Sequence, residues 1–212
     1  MNLFFHIKSW LYNKKVKSTI QCIEGYKEID GWLSEKEAYG LYYIASKINS
    51  NGIIVEIGSW KGKSTYCLAK GLKNGKIYAI DPFNAIGESG SKEIYEQNKG
   101  NIPLYEQFKS KMLHLGVLSK IEPLQGYSNQ FIKEFSKIDF LFIDGDHSIA
   151  GCDHDYLNYS PLVSIGGFIA FHDYDPNRDE LGPTWVIKNR VINNPDFKFL
   201  KLYDSLWVAQ KS

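Results

Sequence analysis

Arginine is nearly missing from this chain of 212 residues: Arg178 and Arg190 are its two, among 25 basic and 24 acidic side chains. The guanidinium is the fork that reads guanines and phosphates, so a chain with so few and a net charge of +1 is not built to grip nucleic acid. Cysteine is scarce as well. Cys22, Cys67 and Cys152 are odd in number and far apart, which excludes a disulfide framework and a paired zinc spacing and fits a reducing cytoplasm. No apolar run approaches the ~20 residues needed to span a bilayer. Lys8 interrupts what would be the core of a leader in "MNLFFHIKSWLYNKKVKS", so no secretory signal is expected. Leu3, Phe4, Ile7, Trp10 and Leu11 nevertheless recur there at helical spacing, followed by Lys14, Lys15 and Lys17. Residues 1–22 therefore read as a basic amphipathic helix. Through residues 3–17 it either lies on a membrane surface or packs on its own domain or on a second copy in a homo-oligomer.

What is present suits one large core, assigned to residues 23–212, because 43% of the chain is hydrophobic. Ser34 precedes Glu37 by three residues as a capping box, with Leu41, Ile44, Ala45 and Ile48 on one helical face behind it. Glu35, Lys36 and Glu37 read as that helix's exposed first turn. The β-branched run "GIIVEIG" reads as a strand covered on both faces, and the pattern returns in "KIYAID", "KIEPLQG", "DFLFIDGD" and "GGFIAFHD". Helical segments separate most of these runs. One begins at Asn101 and Pro103, buries Leu104, Phe108, Met112 and Leu115, and stops at Gly116. Such alternation predicts a doubly wound α/β domain around a parallel sheet. The C-terminal "FKFLKLYDSLWVAQ" predicts an antiparallel hairpin at the sheet edge, since "YDS" is too short for a crossover helix. Residues 82–101 are polar and read as a mobile loop, and with residues 174–184 they are expected to shape an acceptor pocket.

The stretch "VEIGSWKGKSTYCLAKGL", residues 55–72, turns from strand to helix within a few residues. Gly58 and Gly62 let the backbone bend there and approach a ligand, and the next helix offers its free N–H groups to the same spot. Asp81 ends the second strand, 19 residues past Gly62, where a carboxylate can accept both hydroxyls of a ribose. A nucleoside-bearing cofactor is implied. The bulky Trp60 replaces the middle glycine that a pyrophosphate needs, which weighs against the alternative of an NAD-dependent oxidoreductase. A non-catalytic protein that binds a nucleoside cofactor is the other alternative.

With Glu56 ahead of it, "EIGSWKGKS" resembles the cofactor loop of class I S-adenosylmethionine-dependent methyltransferases. The later segments "QGYSNQ", "FLFIDGDHS" and "GGFIAFHDYD" resemble the branch that includes macrolide-sugar O-methyltransferases and bacterial methyltransferases associated with cell-surface sugars. The resemblance covers roughly residues 24–210. It implies a Rossmann-like, mostly parallel seven-stranded sheet and an O-methyltransferase that uses S-adenosyl-L-methionine on a small hydroxylated acceptor such as a sugar. The cofactor would be held by Glu56, Gly58, Ser59, Trp60, Gly62, Ser64, Asp81, Pro82, Phe83, Gly126, Tyr127, Ser128 and Asp144. By the same resemblance Asp146 becomes the general base, with His147 and His172 as rivals because an imidazole titrates near neutral pH unaided. A divalent metal ion, magnesium in the relatives, would lie on Asp144, His172 and Asp173, although an imidazole is a poor magnesium ligand. The alternative for Asp144 and Asp146 is a plain turn role. His154 and Asp155 read as a solvated helix face.

Overall fold

The β-branched run Gly52–Ile57 forms strand β1, and its alternation decides which layer each side chain enters. Ile54 packs into one buried cluster, while Val55 and Ile57 pack into the other on the opposite face. The computed structural model describes residues 14–49, 51–86 and 92–212. Strands β2 (Gly75–Asp81), β3 (Ile121–Gln125), β4 (Ile138–Ile143) and β5 (Val163–Phe171) join β1 in parallel. The expected hairpin is β6 (Phe197–Tyr203) and β7 (Leu206–Lys211), antiparallel, with β7 against β5 and β6 outermost. The full order is β3-β2-β1-β4-β5-β7-β6, a seven-stranded sheet whose strand order reverses between β1 and β4.

Helices α2 (Glu35–Ala45), α3 (Lys63–Gly71) and α5 (Leu104–His114) cover one face. Helices α6 (Ile149–Tyr159) and α7 (Gly182–Val186), the latter continued by a π-helical turn over Ile187–Val191, cover the other. Phe140 and Phe142 are fully buried under the first layer, each side chain contributing roughly 1.5–3 kcal/mol. The capping box forms as expected: Ser34 Oγ accepts from Glu37 N–H at 3.3 Å, and Glu37 Oε2 accepts from Ser34 N–H at 2.7 Å. On α5, Leu104, Phe108 and Met112 are buried, and Gly116 takes the left-handed stop at φ +69°.

One expectation is corrected, within residues 82–101, and two others gain detail. No helix joins β3 to β4; two 3₁₀ turns, Ser128–Gln130 and Ile132–Glu134, make the crossing. Within the stretch read as a loop, Lys92–Asn98 form helix α4, and residues 87–91 lie outside the described residues. Of the amphipathic N-terminal segment, residues 14–22 form helix α1, whose Val16 and Ile20 enter the same buried cluster as Leu41 and Ile44 of α2. The part of that expectation resting on residues 3–13 lies outside the described residues. No described helix is long and apolar enough to cross a membrane.

Candidate active site

The site begins where β1 ends, beside the reversal of strand order, the place where an open α/β sheet leaves a crevice. Gly58 sits at φ +91°, and a Cβ there would lie 2.0 Å from the carbonyl oxygen of Asp144 on the neighbouring strand end. Only glycine fits. Gly62 has φ +92° and leaves room for Met112 and Phe108 of α5, which seats α3 on its neighbour, and it is not among the cavity's lining residues. Between them Trp60 is held at φ +47°, a strained conformation for a bulky residue. Its buried indole N–H has no hydrogen-bond partner among the described residues.

Glu56 lies under this loop, fully buried and enclosed by hydroxyls. Its carboxylate accepts from Ser59 Oγ at 2.9 Å, from Ser64 Oγ at 2.6 Å and from Thr65 Oγ1. Burial pushes its pKa up to about 7 in spite of those three bonds. Asp81 is also raised by burial, against the pull of backbone donors: Trp60 N–H at 2.8 Å and Phe83 N–H at 2.6 Å. The carboxylate is thereby fixed at the carboxyl end of β2 and shapes the glycine turn.

On the other side of the reversal, side chains gather rather than backbone. His172 ends β5 nearly buried, its Nδ1 3.3 Å from Asp144 Oδ1 and 3.2 Å from Asp173 Oδ2. Its Nε2 lies 3.4 Å from Glu37 Oε2, at ion-pair distance without good hydrogen-bond geometry. His147 Nε2 is 3.0 Å from Asp173 Oδ2 and 3.7 Å from Asp144 Oδ1. Burial opposes charge on both imidazoles, but Asp144 and Asp173 outweigh it. His147 is pushed up to about 11, and His172, with Glu37 added, is raised further. Burial likewise opposes charge on Glu37, yet His172, Ser205 and the Ser34 N–H hold it down at about 2. Asp173, at φ +57°, is driven well below the usual carboxylate range by the two imidazoles despite its burial. Neither histidine is a free base near neutral pH.

A cavity of about 1190 Å³ joins the two sides. Gly58, Ser59, Trp60, Ser64, Asp81, Pro82, Gly126, Tyr127, Ser128, Asp144, Asp146, His147, His172 and Asp173 all line it. Glu56 and Gly62 lie beneath, and Phe83 packs edge-on against Tyr105 and Phe108. Tyr174, Asp175, Arg178 and Leu181 of the expected 174–184 segment line the cavity, as do Ile86, Ile94 and Tyr95. Asp146 is exposed and accepts from Ser148 N–H at 2.8 Å, a turn interaction at the start of α6. Asp144, His147 and Asp173 bring one ligand atom each within 4.8 Å of one another, whereas both His172 nitrogens face carboxylates. His147 thus stands where His172 was expected.

Two residues of this region stand otherwise than the sequence reading placed them. Glu37 is buried, not exposed, and fastens α2 to His172 and to Ser205, whose N–H and Oγ it accepts at 2.9 and 2.7 Å. Asp155 is buried and lines the cavity, accepting from Ser128 Oγ at 2.5 Å, with burial raising its pKa to about 6. A signal existed for Asp155: it shares the buried stripe of α6 with Cys152, Tyr156 and Tyr159.

A family described as "Methyltransferase domain" matches residues 55–174, more than half the chain. Protein R132 of Acanthamoeba polyphaga mimivirus, itself uncharacterized, is 30% identical over 124 residues, 58% of this chain and 52% of its own length; the chain thus spans about half of that relative. Among solved structures, the O-methyltransferase TomG from Streptomyces achromogenes, involved in tomaymycin synthesis and in complex with SAM, is similar at TM-score 0.64 and 16% identity, over 91% of this chain and 88% of that one. An O-methyltransferase from Bacillus cereus in complex with SAH also gives TM-score 0.64, at 15% identity over 94% and 91% of the two chains. At such identities these structures establish a shared fold. The match over residues 55–174 contains the glycine turn, Asp81 and the acid and imidazole cluster, and by it the chain belongs to the methyltransferase-domain family.

Proposed function

We propose that this protein transfers a methyl group from S-adenosyl-L-methionine to a hydroxyl of a small acceptor, with a sugar or sugar-containing metabolite as the acceptor class. One observation carries the reading: a single cavity at the strand-order reversal has a backbone-built turn with Asp81 on one side and a cluster of carboxylates and imidazoles on the other. Its volume exceeds the roughly 300–1,000 Å³ of a site for one drug-sized ligand, which suits a cofactor and an acceptor side by side.

Gly58 lets the methionine end approach the backbone, and the Trp60 indole N–H is a donor available to its carboxylate. Asp81 takes the ribose hydroxyls, and Ser128 with Asp155 faces the base. The family membership and the two relatives solved with SAM or SAH support this arrangement. Trp60 stands where a dinucleotide-binding loop has its middle glycine, which disfavours NAD.

Methyl transfer is an in-line displacement, so alignment supplies much of the rate and a weak hydroxyl must also lose its proton. With both imidazoles held as cations, that proton falls to a carboxylate. We assign it to Asp146, which lines the cavity outside the ion-paired cluster. Asp144, His147 and Asp173 fit a divalent cation, which would displace the proton of His147 to use its neutral imidazole; two carboxylates and one imidazole favour manganese, iron or zinc over magnesium. When bound, such an ion would lower the pKa of the acceptor hydroxyl.

The test has two stages. Calorimetry with S-adenosylhomocysteine and with NAD should give binding to the first alone, and the reverse result ends the proposal. Release of S-adenosylhomocysteine in the presence of a panel of free sugars and sugar nucleotides then identifies the acceptor. Asp146→Asn should lower that release about 10²-fold or more at unchanged cofactor affinity, as loss of a general base does.

A further inference from the structure

The end of the sheet opposite the cavity has a different chemistry. There β5 takes five steps, Val163 to Phe168, where its partner β4 takes two, Ile138 to Phe140. The surplus is extruded as a bulge at whose tip stands Ile165, 84% exposed and the most exposed large apolar side chain among the described residues. This loop is built, not frayed. Gly166 supplies a φ of +81°, and Gln210 Nε2 donates to its carbonyl at 2.9 Å.

Lysines share this end of the sheet. Lys47 and Lys137 line one shallow groove with Ile165, and Lys70, Lys73 and Lys76 are exposed at the same end, where α3 stops and β2 begins. Acids lie among them: Glu122 at the start of β3, Asp196 just before β6, and Asp139, whose Oδ2 accepts from Ile53 N–H at 2.8 Å and lies 4.0 Å from Lys137 Nζ. Helix α1 enters at this end too, since Lys15 and Lys47 both lie over the ring of Tyr43, 4.9 and 4.8 Å from its centroid. Leu3, Phe4, Ile7, Trp10 and Leu11 precede that helix in the sequence.

Helix dipoles explain a lysine after the last turn of α2 or near that of α3, and Asp139 accounts for Lys137, but neither explains Lys76 or an isoleucine held out in water at this end. A nucleic acid would use arginine forks and stacking aromatics; the chain has two arginines, both engaged elsewhere by Glu180 and Asp153. An exposed apolar tip on a lysine-rich end of the sheet fits a surface that is anionic outside and apolar beneath. We propose that the face at the amino ends of the strands, with Ile165 at its tip, docks on an anionic phospholipid surface. Docking there leaves the mouth of the cavity, at the carboxyl ends, open to the aqueous side.

Sedimentation of the full chain with sucrose-loaded vesicles tests this without any assumption about catalysis. Vesicles of phosphatidylcholine alone are compared with vesicles holding about one-third phosphatidylserine, at about 0.1 M and about 0.5 M salt. Binding is expected on the anionic vesicles at low salt and should be lost at high salt. Since one lysine near such a surface is worth about a fivefold change, Lys47→Glu with Lys137→Glu should weaken binding at least about tenfold. Ile165→Asp should weaken it about fivefold, and all variants should keep the wild-type melting temperature and S-adenosylhomocysteine response. Absence of binding, equal binding to both vesicle types, or full binding by the double lysine variant overturns the proposal. So does binding to poly(U) RNA in place of vesicles, which would give the face to nucleic acid.

Discussion

Two buried glutamates lie beneath the two walls of the cavity, and they are held in opposite ways. Glu56, under the cofactor wall, has three hydroxyls for partners, and its carboxyl is pushed up to about 7. Glu37, under the acceptor wall, faces the imidazole of His172 and is held at about 2. Hydroxyls satisfy a carboxylate's lone pairs but bring no charge, so burial wins; an imidazolium brings charge, so the ion wins. The cofactor wall is accordingly a rigid backbone frame with a nearly neutral support, and the acceptor wall is a web of charges. Substitutions that strike one wall and spare the other are the means of testing that contrast.

The largest effect is expected at Gly58. A side chain there meets the Asp144 carbonyl at 2.0 Å and must also adopt φ +91°. Gly58→Val should cost several kcal/mol and either prevent folding or abolish S-adenosylhomocysteine binding, read by thermal shift and calorimetry. If the variant folds and binds as wild type does, the cofactor wall is not the backbone frame described.

Second in size, His172→Gln should leave cofactor affinity within about twofold and lower methyl transfer about 10²-fold, because it unties Asp144 and Asp173 from Glu37. The variant also reads out on the alkaline side. Imidazoles with raised pKa stabilise the fold fully below about pH 6.5, and that stability drains away as pH rises through the folded values, about 11 for His147. The alkaline decline in urea midpoint should flatten once His172 is gone. A variant that lost cofactor affinity and transfer in equal measure would merge the two walls into one.

The two walls also differ in how far the sequence discloses them. Every group of the cofactor wall from Glu56 to Asp81 is close in sequence, and its geometry follows from where glycines and a strand-ending carboxylate fall. The acceptor wall draws Glu37, His172 and Ser205 together across up to 168 residues. Glu37 already had a complete local explanation as the third residue of a capping box, so nothing in its neighbourhood announced a second partner. Likewise His172 was expected as a ligand from the resemblance, and only the packing of α2 shows that its second nitrogen also faces a carboxylate. The fold class and the succession of strands along the chain were legible because apolar period and turn residues are local signals. The hairpin's reversal, with β7 rather than β6 against β5, conforms to the short connection without being dictated by its length.

Third, Glu37→Gln tests the acid limb. A carboxylate at about 2 in the folded state and near 4.3 unfolded adds stability that is complete above about pH 4.5 and is lost as pH falls toward 2, on the order of 3 kcal/mol in all. Urea midpoints from about pH 5 to 2 should fall steeply in the wild type and more gently in the variant. The capping box tolerates glutamine, so a loss of helicity is not expected to confuse the result. Parallel acid limbs in the two proteins would remove the ion pair from the account of Glu37.

The smallest effect concerns Glu56. At pH 7 its carboxyl is near half-protonated, so Glu56→Gln exchanges one uncharged-capable group for another of the same shape, and the cost should stay within about 1 kcal/mol. The sign of the pH dependence is the sharper readout. Here the folded carboxyl keeps its proton to about pH 7 while the unfolded one releases it near 4.3, so its contribution is greatest at about pH 4.5 and declines as pH rises toward 7. Between those values the wild type should lose stability with rising pH and the variant should lose less. That is the reverse of the Glu37 limb, and the two slopes meet near pH 4.5. A Glu56 slope of the Glu37 sign would mean that a cation, not three hydroxyls, answers the buried carboxylate, and the cofactor wall would then be as charged as its neighbour.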